Sequence, residues 1–270
     1  MKIKCVVFDV DGTLVTVGSR LLLESTIASI YELQEKGIKV AVATGRPFFA
    51  MERSIKEKVK FDYYICSNGV FVYDNANQKD LFKYEIPADV VMDYTKLCEE
   101  TGGAAMFQFD EAGHVYVGYP QLISMLSDTL GRIEYFFKHP QQERHQYSPP
   151  TAIISKIPTA HMQRFRETFP QFQFVPFMHE FYDVFPKEIS KFSGIERICQ
   201  ELNLTTDQVM TFGDALNDVE MIEKAGIGIA MGNALPEVMD RADHITENCE
   251  HDGIYKALLH YKLIEPNPYV

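Results

Sequence analysis

Three short stretches of this 270-residue chain carry the residue types that do chemistry: Asp9-Val10-Asp11-Gly12-Thr13, Thr44-Gly45-Arg46, and Gly213-Asp214-Ala215-Leu216-Asn217-Asp218. Each ends an apolar run. In the first, Val6-Val7-Phe8 leads straight into two carboxylates two positions apart. In an extended segment, residues i and i+2 project to the same side. At ~6 Å and an effective dielectric near 20, such charges repel by roughly 3 kcal/mol. The pair persists if it is solvated, shares a proton or holds a cation.

Asp-Gly is also an ordinary turn pair, but a turn alone does not explain two acids placed directly after a buried-type strand. An EF-hand calcium loop fails: counted from Asp9, Arg20 stands where the bidentate Glu is needed and Leu14 where Gly is needed. A strand-end carboxylate can attack phosphorus to give an aspartyl phosphate. A second carboxylate two residues on can protonate the leaving alcohol and then take a proton from water. Both tasks need a cation against the phosphate charge, and Mg²⁺, held by few protein oxygens, is the expected one. Asp214 at its strand end is expected as a further ligand. Asp218 lies one helical turn on, as a ligand or as a first-turn acid. Asn217 is placed to donate to a phosphoryl oxygen or to the carboxylates. Thr44 offers a hydroxyl, Gly45 a small residue and Pro47 a helix start, which together suit an anion. Lys187 and Lys191, in FPKEISKFSGI, precede a helix, and one of them is expected to face phosphate.

The elements that must position these residues come in two styles. Segments 3–9, 38–44 and 63–67 read as buried strands, with a helix over 24–36 capped by Gly37. Continuous apolar strands alternating with helices predict a doubly covered parallel sheet, and open sheets of this kind bind ligands at the carboxyl ends of their strands. From about residue 70 the strands become aromatic and alternating (69–74, 80–86, 104–110, 114–119). Helices over 88–101 and 159–169 intervene, which predicts an antiparallel sheet with helices on one face. Phe107, Phe109, Tyr116 and Tyr119 there read as a packing face more readily than as a ligand stack. The first style returns with a helix over 193–203, strands over 209–214 and 226–231, and a helix over 233–242. The expected architecture is therefore α/β: a Rossmann-like doubly wound core over 1–82 and 184–270, with an α+β insert over 83–183.

Composition narrows the functions. Net charge is −12 with a pI near 5.1, the wrong sign for a phosphate-backbone binder, so no nucleic-acid partner is expected. No apolar run nears the ~20 residues of a membrane span, and the N-terminus lacks a secretory pattern. Five cysteines, none in a CxxC pair, point to a reducing, cytoplasmic setting, with Cys5 and Cys66 as buried thiols. HExxH, P-loop and GxSxG patterns are absent, and the glycines of AGIGIAMGNA have the wrong spacing and context for dinucleotide binding.

Taken together, DVDGTL, TGR, a lysine before a helix and GDALND, in that chain order, resemble the four motifs of the haloacid dehalogenase (HAD) superfamily. VATGRPF, ICSNG, ISK, GDALNDVEMIEKAGIGIAMGNA and HDGIYKAL resemble its Cof-type sugar-phosphatase branch. The resemblance spans the whole chain. It implies Asp9 as nucleophile, Asp11 as general acid/base, Thr44 on the phosphoryl group and Lys191 neutralising charge. It implies Mg²⁺ on the Asp9 side chain, the Asp11 carbonyl and Asp214, with Asp218 close by. Gly12, Gly45, Asn68 and Asn217 would border the phosphate, and the insert would be a cap that selects the leaving group. The branch usually has a small residue after its lysine, where this chain has Phe192, which leaves Lys187 as the alternative cation. The implied reaction is hydrolysis of a small phosphate ester, most readily a sugar phosphate. A phosphomutase or phosphotransferase on the same nucleophile, or a sugar-phosphate sensor, are the competing readings.

Overall fold

The computed structural model describes residues 2–16, 21–51, 53–130 and 134–267. The chain divides into two compact units, Met1–Arg46, Met51–Phe82 and Ser190–Val270 in one, Pro47–Ala50 and Lys83–Ile189 in the other. The chain first runs β1 (Cys5–Phe8), α1 (Glu24–Glu35), β2 (Lys39–Ala43), α2 (Arg53–Lys58), β3 (Tyr63–Cys66), β4 (Phe71–Asp74) and β5 (Lys79–Lys83). The insert contributes α3 (Ala88–Thr101), β6 (Ala104–Gln108), β7 (Gly113–Val117), α4 (Tyr119–Leu130) and β8 (Phe136–Lys138). It continues through β9 (Ala152–Lys156), α5 (Met162–Thr168), β10 (Phe172–Met178) and β11 (Phe181–Pro186). The chain ends with α6 (Lys191–Leu202), β12 (Val209–Gly213), α7 (Val219–Lys224), β13 (Ile227–Ala230), α8 (Pro236–Met239), β14 (His244–Ile245) and α9 (Gly253–His260).

In the first unit an eight-stranded sheet has the order β14-β13-β12-β1-β2-β3-β4-β5. The six strands from β14 to β3 are parallel, and β4 joins β3 antiparallel. Both faces are covered, which is why Cys5, Val6, Val7 and Phe8 are all at most 1% exposed and why the strands read as unbroken apolar runs. Helix α6 sets Phe192, Ile195, Ile198 and Cys199 against Val7, Ala41 and Ile65 of the sheet, a spacing of three and four residues on one helical face. β4 and β5 belong to this sheet, although their aromatic, alternating sequence resembles the insert's. As its flank they are less enclosed, with Phe71, Tyr73 and Leu81 half-buried. Gly226 and Gly228 serve close packing: a Cβ on either would lie 2.0 Å from a backbone oxygen, of Asp207 and Ile222 respectively.

The second unit holds a six-stranded sheet, order β10-β11-β9-β6-β7-β8, antiparallel except where β8 joins β7. Its helices lie on both faces. Val91, Tyr94 and Cys98 of α3 and Phe165 of α5 pack with Ala105, Phe107 and Ile153. Leu122, Met125 and Leu126 of α4 pack with Ala104, Met106 and Ile154. The expected one-sided arrangement is thus incomplete, because the 119–130 helix was not anticipated behind the strand pattern of 114–119. Its apolar residues at i, i+3 and i+4 carry the signal. Phe107, Phe109 and Tyr116 are buried in the core, as a packing face predicts. The boundary expected at 183/184 falls inside β11, which stays whole in this unit; the change comes at Ser190. The helix expected over 233–242 is only Pro236–Met239, since proline is tolerated at a helix start but not within one.

The five cysteines are free thiols, four of them buried. Among the described residues no helix is long and apolar enough to cross a membrane.

Candidate active site

The sheet order puts β1 between β12 and β2, with Phe8 in register with Phe212 and Val42. From β1 the chain builds the sheet first through β2 and β3, then on the other side through β12 and β13. The carboxyl ends at such a switch point are where open α/β sheets bind ligands. Asp9, Thr44 and Asp214 are the residues that follow these three strand ends.

Asp9 is buried, 5% exposed, as is Lys191 at 1%. The Lys191 ammonium donates to Asp9 Oδ1 and to Asp218 Oδ1, each at 2.6 Å. Lys191 reaches them because it is the first residue of α6, whose start is set by a reciprocal cap. Ser190 Oγ accepts from Ser193 N (3.2 Å), and Ser193 Oγ accepts from Ser190 N (3.0 Å). Phe192 does not disturb that start; it is buried against the sheet. Lys187, the alternative, is exposed and belongs to the second unit.

Asp218 is fully buried. While its Oδ1 meets Lys191, its Oδ2 accepts from the backbone N–H of Asp214 and of Ala215, both at 3.0 Å. It thereby folds the Asp214 turn back on itself while it also meets the lysine. Asp214 is half-buried, and Thr13 Oγ1 donates to its Oδ1 at 3.2 Å. The two acidic turns nearly touch. Gly12 has φ +86°, and a Cβ there would lie 2.3 Å from Asp214 Oδ2. Gly12→Ala is therefore expected to push the Asp214 carboxylate aside and cost about 100-fold in turnover, the usual result of an ångström-scale misplacement. Steady-state kinetics beside a melting curve checks this.

Asp11 points elsewhere. Its side chain is 52% exposed and is held by the Arg46 fork, Nε donating to Oδ2 at 2.8 Å and Nη2 engaging Oδ1. Thr44 is buried, and its hydroxyl oxygen accepts from Arg46 N at 3.1 Å, which leaves the hydroxyl proton to be donated elsewhere. Gly45 sits between them in the same turn. Asn68, at φ +57° in the turn after β3, donates its N–H to Thr44 O (2.9 Å) and accepts from Asn217 Nδ2 (2.9 Å). The structure thus brings Asp9, Lys191, Asp214 and Asp218 into one cluster, with Gly12 against Asp214. Thr44, Gly45 and Asn68 form an adjoining turn pair joined by Asn217. Thr13 and Arg46 were not singled out from sequence. Each is the next residue of a motif already noted, DGT and TGR, and that adjacency was the available signal.

Burial, with help from Asp218 and Asp214, holds the Asp9 carboxyl well above the usual carboxylate range, although Lys191 opposes this. Burial and then Asp218 push Asp214 up to about 7, against the Thr13 hydrogen bond. Burial works against the charged lysine, but Asp218 and Asp9 overcome it and hold the ammonium above its ordinary value. One buried cation therefore faces three carboxylates whose ligand atoms lie within 4.8 Å of one another. An all-oxygen set short of positive charge fits a hard divalent cation. Asp9 and Asp214, with Asp218 beside them, are the carboxylates that could hold one.

Residues 6–258 match the family described as haloacid dehalogenase-like hydrolase. A Streptococcus pyogenes protein named as a bifunctional phosphatase and peptidyl-prolyl cis-trans isomerase is 30% identical over 98% of this chain; the chain spans 55% of that longer protein. An HMP-PP phosphatase of Yersinia pseudotuberculosis is 26% identical, covering 94% of this chain and 93% of its own length. Among solved structures, the HAD subclass IIB sugar phosphatase BT4131 superposes with a TM-score of 0.84 at 27% identity, over 97% of this chain and all of its own.

Proposed function

Because this chain belongs to the haloacid dehalogenase-like hydrolases and is a phosphatase of that family, we propose that it is a Mg²⁺-dependent phosphomonoesterase for small metabolites, sugar phosphates first among them. The observation that carries the reading is the Asp9 carboxylate at the end of β1, 2.6 Å from the buried Lys191 ammonium and beside Asp214. The sugar phosphatase neighbour supports the substrate class.

When bound, Mg²⁺ would screen phosphate charge from the carboxylates and polarise the phosphoryl group. Asp9 Oδ attacks phosphorus, the P–O bond to the alcohol breaks, and the phosphoryl group is left on Asp9. Asp11 gives its proton to the departing alcohol and then takes one from the water that cleaves the aspartyl phosphate. For this, Asp11 must exchange the Arg46 fork for the ester oxygen. Thr44 donates its hydroxyl to a phosphoryl oxygen and Lys191 offsets the charge of Asp9 and phosphate, both fixed before the reaction begins. Asp218 acts by holding Lys191 and the Asp214 turn in place. Gly12 and Gly45 keep the two turns narrow beside the phosphate, with Asn68 and Asn217 at its edge. The inserted unit serves as the cap that selects the alcohol.

The deciding experiment is phosphate release from a panel of hexose, pentose, triose and pyridoxal phosphates, with and without Mg²⁺. Mg²⁺-dependent release is expected; isomer interconversion without release would replace hydrolysis by a mutase reaction. A pH dependence follows from Asp214. Its carboxyl must give up a proton to hold the cation, so Mg²⁺ affinity is expected to fall as pH drops through about 7. Calorimetric Mg²⁺ titrations at pH 6 and pH 8 check this, and equal affinities would mean that the Asp214 carboxyl is already ionised at pH 6.

A further inference from the structure

Residues Met231–Leu235, which lead from β13 to α8, bind the turns that carry the acids. Met231 N donates to Gly213 O at 3.1 Å and Leu235 N to Asp214 O at 2.9 Å. Between them, Asn233 Nδ2 donates to Gly12 O at 2.8 Å. At its other end Asn233 Oδ1 accepts from Cys249 N at 3.0 Å. Asn233 is exposed, yet both ends of its amide are engaged. A solvated asparagine would not need this geometry, since water can satisfy a surface carbonyl as well.

Two of these contacts are main-chain and hold the Asp214 turn. The contact to Gly12, made through the Asn233 side chain, reaches the other acidic turn. Gly12 sits at φ +86°, close enough to Asp214 that a Cβ would lie 2.3 Å from its carboxylate oxygen. Its peptide plane follows directly on the Asp11 carbonyl. A rotation of the Asp11–Gly12–Thr13 turn would move that carbonyl and the Thr13 hydroxyl that donates to Asp214.

We infer that Asn233 is a positioning residue for the divalent cation: its amide pins the Gly12 carbonyl and so sets the Asp9–Thr13 turn at the right distance from Asp214. The inference rests on the cation reading above. Groups that orient ligands from behind contribute about 10- to 100-fold to metal affinity, and a contact one peptide removed belongs at the lower end.

The test is Mg²⁺ binding to the full chain by calorimetry, without substrate, for wild type, Asn233→Ala and Cys249→Pro. Cys249 opens a short 3-10 turn and follows Asn248 at φ −57°, ψ 152°, so proline is tolerated there. It removes the N–H on Asn233 Oδ1 and leaves the contact with Gly12. Asn233→Ala is expected to weaken Mg²⁺ binding about 10-fold, with turnover restored at saturating Mg²⁺, while Cys249→Pro binds as wild type does. Should Asn233→Ala fail to fold, Asn233→Ser is expected to show the same loss. Unchanged affinity in the Asn233 variant, with or without a lower Tm, overturns the inference, as does an equal loss in Cys249→Pro, which would place the effect in the 247–253 loop. A wild type that binds no Mg²⁺ overturns the cation reading itself, and this inference with it.

Discussion

Replacing Asp9 by Asn is expected to lower phosphate release by three or more orders of magnitude, with the protein still folded. The amide is nearly the shape of the carboxylate but is not a nucleophile, so no covalent phosphoenzyme forms. Lys191 keeps its other partner, Asp218 Oδ1 at 2.6 Å, so the buried ammonium is not stranded. The measurement is phosphate release beside acid-quench trapping of labelled phosphoenzyme. A trapped adduct in wild type that vanishes in Asp9→Asn establishes the nucleophile. Turnover within tenfold of wild type would assign the attack to another group.

Lys191→Met should produce the largest loss of stability. The ammonium is 1% exposed and is shared by Asp9 and Asp218, which are 5% and 0% exposed. Removing one partner of a buried charged set leaves the others uncompensated, at a cost of about 3–5 kcal/mol. For a chain of this size that is a fall in Tm on the order of 10 °C. The loss has a pH signature. Without the lysine, Asp9 rises further above its unfolded value, so the folded state binds protons that the unfolded state has released. Stability then declines as pH rises, and the deficit should be larger at pH 8 than at pH 5. Thermal melts of both proteins at the two pH values check this. A pH-independent deficit would mean that the lysine acts through packing, not charge. Activity should fall at either pH, since the buried ammonium no longer offsets the charge of Asp9 and phosphate.

Asp9, Asp214 and Thr44 were legible as strand-end residues because parallel strands buried on both faces are unmistakable in sequence, and the residue after each such strand lies at one edge of the sheet. The lysine was ambiguous. Sequence alone offered Lys187 and Lys191, and Phe192 argued against the second. In the structure the Ser190–Ser193 cap starts α6 at Lys191, whose ammonium lies 2.6 Å from Asp9 Oδ1, while Phe192 turns into the sheet. Asp218 shows the opposite limit. Its place in GDALND marks it as part of the site, but its work for the backbone N–H groups of Asp214 and Ala215 depends on how the turn closes.

The order and chemistry of the motifs, the α/β character of the core and the presence of an inserted α+β unit were determined by the sequence itself. These rest on local periodicity and on residue type, which each segment carries without its neighbours. The tertiary structure decided which side β4 and β5 join, that α4 covers a second face of the insert's sheet, that Arg46 holds Asp11, and that Asn233 reaches Gly12. Two of these depend on contacts between residues far apart in the chain, Arg46 with Asp11 and, across 221 positions, Asn233 with Gly12. No local pattern encodes such a pairing; it exists only once the sheet has set the strand ends side by side.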